Sequence, residues 1–440
     1  MPHILIAVLS PTGHVSPLLG VAADLVARGN RVTVMTGGVH AAAVRAVGAE
    51  LHPLPPIADL DDSQFDSSTR GGTSGIEALN LAIIRMFLVP MRHQVAELSA
   101  AMARTRFDAM IVDYGFVGVI PFLLGDPARR PPVLYYTPTP LMLSSRDTAP
   151  AGLGLPPHPG MFGHLRNLVL NLYSQKVALR QSHRAANAML KEIGAPRLPM
   201  FLLDVGVLAD RFIVATVPSF EYPRSDLPPN VRFVGRVHPL PSHEYVRLGW
   251  WDELDGARPV VHVTQGTVDN EDLSRLIEPC IEALGGDDVT VVATTGGRDV
   301  RDITVARPAN ARVVEYIPHD VLLPKVDVMV TNGGYGAVQR ALSTGVPLIV
   351  AGSTEDKPEV AARVAWSGAG IDLRTGRPSA EVIRGAVRRV LSDGRYLRRA
   401  RELEADFARR DGIAEIAALV DDVTGNHHRL SHRRNSHSGS

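Results

Sequence analysis

"HILIAVLSPTGHVSPLLGVAADLVARGNRVTVMT", residues 3–36, decides the fold. Residues 3–9 are an almost unbroken apolar run, the pattern of a strand buried on both faces of a parallel sheet. Residues 17–28 carry apolar groups at helical spacing and end at Gly29. "RVTVMT" (31–36) is a second strand. Strand, helix and strand in succession make a βαβ unit with its two strands parallel. A histidine, His14, sits in the Pro- and Gly-containing stretch between the first strand and the helix.

The same grammar repeats along the chain. "FDAMIVD" (107–113) and "PVLYYTP" (132–138) are further buried strands, and the helical run between residues 78 and 102 is broken at Pro90. A second series opens at "PVVHVTQGT" (259–267) and continues through "VTVVATTGG" (289–297), "ARVVEYI", "VDVMVTNGG" and "PLIVAG". Two alternating β/α series predict an α/β protein with two doubly wound, Rossmann-like domains facing across a cleft. The expected domains are 1–218 and 244–395, joined by a Pro-rich linker at 219–243. The helix at 396–424 is expected to pack back on the first domain. The polar stretch 425–440 reads as a disordered tail.

Composition narrows the function. The 440 residues contain 46 Lys+Arg and 46 Asp+Glu, a balance that excludes nucleic-acid binding by bulk positive charge. Cys280 is the single cysteine, so there is no disulfide framework and no paired-cysteine metal site. "MPHILIAVL" lacks the cations and cleavage site of a signal peptide, and no apolar run approaches the ~20 residues of a membrane helix. A soluble, cytoplasmic protein with no integral membrane segment is expected. Asp59-Leu60-Asp61 has the spacing of a metal-binding pair but reads as a solvated turn, and no metal site is expected.

Ligands of open α/β sheets bind outside the carboxyl ends of the strands. His14, Asp113 and the turns 264–267 and 331–336 all fall there. A histidine at that place can act as a general base, and a carboxylate can fix its tautomer. The bland alternative, that His14 and Asp113 merely cap local structure, stays open on spacing alone. The glycines of "TNGGYGAVQRAL" (331–342) lie between a strand and a helix start, which suits a diphosphate, though Gly333, Gly334 and Gly336 match no standard phosphate-loop spacing. "STEDKPE" (353–359) sets Glu355, Asp356 and Lys357 just after a strand.

"GHVSPLLGVAADLVARGNRVTVMTG", "NVRFVGRV", "RPVVHVTQGT" and "VVEYIPHDVLLPKVDVMVTNGGYGAVQRALSTGVPLIVAGSTEDKPEVAARV" together resemble the inverting nucleotide-sugar glycosyltransferases of the UDP-glycosyltransferase superfamily. The resemblance runs over about residues 1–424 and is nearest in style to bacterial enzymes acting on macrolides and other natural products. It implies the two-domain fold called GT-B. It implies that His14 takes the proton from an acceptor hydroxyl while Asp113 orients it. The implied donor-binding residues are Thr12, Gly13, Gly266, Thr267, Tyr316 (where a base-stacking Trp is usual), Ile317 through its backbone, Asn332, Gly333, Gly334, Gln339, Asp356 and Lys357. Asn332, Ala337, Arg340 and Lys357 depart from the family's usual His, Ser or Thr, Glu and Gln.

Acceptor contacts are expected from the apolar residues Met86, Phe87, Met142, Leu143 and Phe162. The implied partners are a UDP- or dTDP-linked hexose and a hydrophobic small molecule such as a macrolide or polyketide. No cofactor is expected beyond that co-substrate, and a homodimer is left open. The rival readings are an auxiliary protein without turnover and a sugar-nucleotide epimerase of similar fold.

Overall fold

The computed structural model describes residues 1–60, 75–238, 245–267 and 269–437, with side chains as far as Gly425. Asp61 lies outside the described residues. The first sheet holds β1 (His3–Ala7), β2 (Arg31–Thr36), β3 (Glu50–Pro53), β4 (Ala109–Asp113), β5 (Val133–Thr137), β6 (Arg211–Val214) and β7 (Val231–Phe233). Its order is β3-β2-β1-β4-β5-β6-β7, and every neighbouring pair is parallel. The second holds β8 (Val260–Thr264), β9 (Thr290–Thr294), β10 (Ala311–Val314), β11 (Val328–Thr331), β12 (Leu348–Val350) and β13 (Gly370–Asp372). Its order is β10-β9-β8-β11-β12-β13, again all parallel.

Burial on both faces explains the unbroken apolar runs. In β1, Ile4 and Ile6 pack with Val15, Leu18 and Leu25 of the helix Thr12–Ala27. Leu5 and Ala7, pointing the other way, pack with Leu98 and Ala101 of the helix Met91–Arg104. Each fully buried aliphatic side chain of this kind contributes about 1.5–3 kcal/mol.

Strand order reverses between β1 and β4 in the first sheet and between β8 and β11 in the second. Such a switch point opens a crevice at the strands' carboxyl ends. The chain leaving β1 carries His14, and β4 ends on Asp113. The turns after β8 and β11 hold Gly266 and Gly333. The fold thus places the candidate residues at two switch points.

Three expectations about the chain's organisation need correction. The Pro-rich segment is more than a linker: β7 adds an edge strand to the first sheet, while Phe220, together with Val217 just before the segment, is buried in the second domain's core. Val231 and Val234 supply the apolar anchors that composition dominated by proline obscured. The closing helix is two helices. Arg395–Ala408 buries Ala400, Leu403 and Phe407 in the second domain, and Gly412–His437 buries Ile416, Ala417 and Val420 against the first domain's opening helix. Only the latter crosses between domains. At the break, a Cβ on Gly412 would stand 2.6 Å from the Arg236 carbonyl oxygen, so only glycine admits that approach. Finally, helix continues to His437, through most of the stretch expected to be disordered. A formed helix propagates at one hydrogen bond per residue, and no proline interrupts this one.

The helix Gly160–Tyr173 is inverted in polarity. Asn167 and Asn171 face inward, their amides donating to the carbonyls of Arg146, Ser145 and Thr148. Met161, Phe162, Leu165, Leu168, Val169 and Leu172 face solvent. Among the described residues, no helix is long and apolar enough to cross a membrane.

Candidate active site

His14 lies in the first turn of the helix Thr12–Ala27, not in a free turn, its backbone N–H donating to the Pro11 carbonyl at 2.9 Å. Its Nδ1 is 2.9 Å from Asp113 Oδ1 and 3.0 Å from Oδ2. Asp113 is fully buried, whereas the His14 side chain keeps 14% exposure. The Gly115 N–H also donates to Asp113 Oδ2, at 3.2 Å. A buried carboxylate facing Nδ1 holds the proton on that nitrogen, which makes Nε2 the basic one. Tyr114 stacks on the imidazole, centroids 5.7 Å apart and planes 19° from parallel. Sequence reasoning passed over Tyr114, although it directly follows Asp113. Burial pushes its hydroxyl pKa up, and Asp113 and Asp356 add to the effect.

Asp356 brings the second domain to this site. It occupies the position just before the helix Lys357–Ser367, its side chain making no capping hydrogen bond to that helix. Desolvation raises its pKa to about 6, with Glu355 adding and with Lys357 and His14 opposing. His14 acts on the Asp356 carboxyl and Asp356 on the Tyr114 hydroxyl, so charges of the two domains are felt across their boundary here. Glu355, just before, has the left-handed backbone φ of 54°, a conformation costly for a non-glycine residue and concentrated at functional loops.

The glycine turn after β11 is open to a ligand. Gly333 has φ +93° and no room for a Cβ, which would meet Val350 at 2.7 Å. Gly334 and Gly336, flanking the start of the helix Tyr335–Leu342, face open space, as does Gly13 at the start of the first domain's opening helix beside Thr12. Both helix starts present N–H groups and positive dipole ends. Gly266 turns with φ +74°, and Thr267 beside it is exposed. Tyr316 is 52% exposed, so its ring is available for stacking, while the buried Ile317 side chain belongs to the core and leaves only its backbone. Gln339 is buried, and its Oε1 has no hydrogen-bond partner among the described residues.

Two expected phosphate contacts are used differently. Asn332 Nδ2 donates to the carbonyls of Gln265 at 2.5 Å and Asp269 at 3.5 Å. Lys357 Nζ is held by Thr354 at 3.1 Å, by Asp269 at 3.2 Å and by Glu355. Both side chains therefore tie the loop after β8 to the loops after β11 and β12. Against the cost of desolvation, Glu355 and Asp269 hold the Lys357 pKa above its usual value. Arg340, the other expected cation, lies near Arg236, whose Nε and Nη1 are buried without a partner among the described residues. Desolvation lowers the Arg236 pKa to about 10, Arg340 lowering it further and Asp320 opposing.

Of the residues expected to contact an acceptor, Phe87 lies 6.5 Å from the ring of Tyr114, the residue that stacks on His14. Met86 is buried and Met142 half-buried. Leu143 packs into the first domain's core, and Phe162 is 78% exposed at the start of the inverted helix. Asp59 is not a solvated turn residue: it accepts from Ser10 Oγ at 2.5 Å and from the Gly38 N–H at 3.1 Å. Among the described residues, no group of three His, Cys, Asp or Glu side chains is arranged to hold a metal ion.

The chain is similar to known proteins over most of its length. Residues 278–423 match the C-terminal domain described as erythromycin biosynthesis protein CIII-like. The 4'-demethylrebeccamycin synthase of Lentzea aerocolonigenes is 41% identical over 425 residues, covering 95% of this chain and 99% of that protein. The chain belongs to the UDP-glycosyltransferase superfamily. UDP-glycosyltransferase 2 of Phaeomoniella chlamydospora is 36% identical, with 96% of each chain covered. In structure, the chain is similar to the glycosyltransferase of kitacinnamycin, with a TM-score of 0.74 and 24% identity over 96% of this chain and 100% of that one. It is also similar to the calicheamicin glycosyltransferase CalG4, with a TM-score of 0.69 and 23% identity over 97% and 99% of the two chains. The fold is GT-B. As a glycosyltransferase, the protein moves a sugar from a nucleotide sugar to a small-molecule acceptor.

Proposed function

We propose that this glycosyltransferase moves a hexose from a UDP- or dTDP-linked donor to a hydroxyl of a hydrophobic natural product, with inversion at the anomeric carbon and without a metal ion. The observation that carries the reading is the His14–Asp113 pair at a switch point, facing Asp356 of the other domain. Nε2 of His14 takes the acceptor hydroxyl's proton as the oxygen attacks the anomeric carbon. The bond to the diphosphate oxygen breaks, and the diphosphate leaves with its electron pair. Asp113 balances the imidazolium that forms. Base catalysis of this kind contributes on the order of 10²–10⁴-fold.

The leaving diphosphate is stabilised by the helix start at Gly333 and Gly334, by Thr267 and by the opening turn at Thr12 and Gly13. Tyr316 stacks on the base, the orphan Gln339 Oε1 accepts from a donor hydroxyl, and Asp356 holds the sugar hydroxyls. Phe87, Met86 and Met142 supply apolar acceptor contacts. A binding protein without turnover has no use for a buried carboxylate trained on an imidazole. The enzyme needs no cofactor beyond its co-substrate, and a second copy would bind on the apolar face of the helix Gly160–Tyr173.

The test is a mass-spectrometric screen of sugar nucleotides against hydroxylated hydrophobic acceptors, followed by NMR of the product's anomeric configuration. Retention of configuration, or no transfer from any donor, would refute the proposal.

A further inference from the structure

A buried charge network lies outside the catalytic machinery described above, and it joins the domains. Arg363, fully buried on the helix Lys357–Ser367, donates through Nε to Glu221 at 2.8 Å and through Nη1 to Glu359 Oε2 at 2.8 Å. Its guanidinium also lies 4.2 Å from the Tyr222 ring centroid. Glu221 accepts from the Leu141 N–H at 3.0 Å, and so fixes the loop after β5. The other oxygen of Glu359, Oε1, accepts from the N–H groups of Gly152 at 2.9 Å and Gly154 at 2.8 Å, which belong to the first domain.

The geometry allows little slack. Gly154 has φ +58°, and a Cβ there would meet the Pro358 carbonyl oxygen at 2.9 Å. Backbone of the first domain thus lies directly on the second turn-forming residue after Asp356. The Glu359 N–H in turn donates to the Asp356 carbonyl at 3.0 Å. Between the two clamped glycines stands Leu153, 49% exposed. Burying a glutamate to fix two loop amides has no return in core packing, because the side chain so presented is not in the core. Its consequence is an apolar side chain carried between two anchored amides, on a loop held against the helix that follows Asp356.

Resting on the glycosyltransferase reading above, we propose that Glu359 is a positioning residue for the acceptor. It clamps the Gly152–Gly154 loop to the helix that starts at Asp356, so that Leu153 forms a fixed apolar wall of the acceptor site and moves as one body with the donor-side carboxylate. The acceptors favoured are those with an apolar surface close to the reacting hydroxyl.

The experiment compares the full-length enzyme with Leu153→Ala, Glu359→Gln, Glu359→Ala and the Leu153→Ala/Glu359→Ala double variant. Nucleoside diphosphate affinity is read by calorimetry, with UDP and dTDP as probes, and acceptor KM and kcat by steady-state transfer. Leu153→Ala, at an exposed position, should raise acceptor KM about tenfold, the size of a lost apolar contact in a pocket. It should leave the thermal midpoint and diphosphate Kd unchanged. Glu359→Ala should raise acceptor KM at least as much, with Glu359→Gln falling between, because its amide oxygen still accepts from the glycines. The double variant should be no worse than Glu359→Ala, since a released loop has already forfeited Leu153. An unchanged acceptor KM in Leu153→Ala, or a diphosphate Kd that weakens in step with acceptor KM in Glu359→Ala, would overturn the proposal. Wild-type enzyme that transfers no sugar at all would instead refute the reading on which it rests.

Discussion

The side-chain amide of Asn332 donates to the backbone carbonyl of Gln265 at 2.5 Å, and so ties the glycine turn after β11 to the loop after β8. Lys357 reinforces the tie from the loop after β12 through Asp269, 3.2 Å from its ammonium. These two residues, which a simple carry-over from the family pattern would aim at the diphosphate, instead hold the loop after β8 in place.

Asn332→Ala and Lys357→Gln should therefore each weaken nucleoside diphosphate binding by about tenfold, about 1.4 kcal/mol. Because both act on one loop, the double variant should lose less than the sum of the two. A calorimetric double-mutant cycle measures this. Strict additivity would mean that each side chain contacts the ligand independently.

Asp356 makes donor use pH-dependent. Its carboxyl pKa is raised from 3.8 to about 6 in the folded protein, chiefly by desolvation. Holding sugar hydroxyls as an acceptor requires the ionised form, so donor KM should rise as pH falls through about 6. The stability sign is opposite to that of a paired carboxylate. Between pH 3.8 and about 6 the folded state binds more protons than the unfolded one, so stability falls as pH rises through that window. The cost is fully present above it. Asp356→Asn should therefore raise stability by ~1–3 kcal/mol at pH 7.5 and by nothing near pH 3.5, as read by denaturant titration at both pH values.

Arg363 is the counter-ion of two buried carboxylates, Glu221 and Glu359. Arg363→Met roughly keeps the volume but removes the cation that donates hydrogen bonds to both carboxylates. Urea unfolding should show a loss of ~3–5 kcal/mol at neutral pH, the cost of breaking a buried pair from one side.

Transfer should be insensitive to EDTA, because helix-start amides and the dipoles behind them carry the diphosphate charge. Complete loss of activity with EDTA, restored by Mg²⁺ or Mn²⁺, would contradict this and redirect attention to Asp59.

The sequence announced those parts of the protein that local chemistry dictates. β1 and β4 are buried on both faces, so their apolar runs are unbroken, and the polar residues His14, in the helix start that follows β1, and Asp113, at the end of β4, stand out by contrast. Their place at the carboxyl ends of predicted strands made the pair a candidate, while a merely local capping role stayed open on spacing alone. What was hidden depended on pairs far apart in the chain. Asn332 and Lys357 are polar residues in polar-looking loops, and only the approach of residues 265–269 shows that their donors are already engaged. Leu143 and Phe162 are equally apolar in sequence, yet one enters the core and the other faces solvent, because inward-facing Asn167 and Asn171 turn that helix's apolar side outward. Glu359 clamps glycines more than 200 residues earlier, a link that no periodicity reveals.

The most direct test of the account is the transfer rate of His14→Ala under saturating donor and acceptor, measured beside its nucleoside diphosphate affinity. The variant should bind UDP or dTDP as tightly as the wild type while kcat falls by about 10²–10⁴-fold. It should also lose ~1–3 kcal/mol of stability, because the fully buried Asp113 loses its partner, so the assay belongs well below the variant's melting temperature. A variant that keeps more than about a tenth of wild-type kcat would show that His14 is not the base, given the usual size of base catalysis.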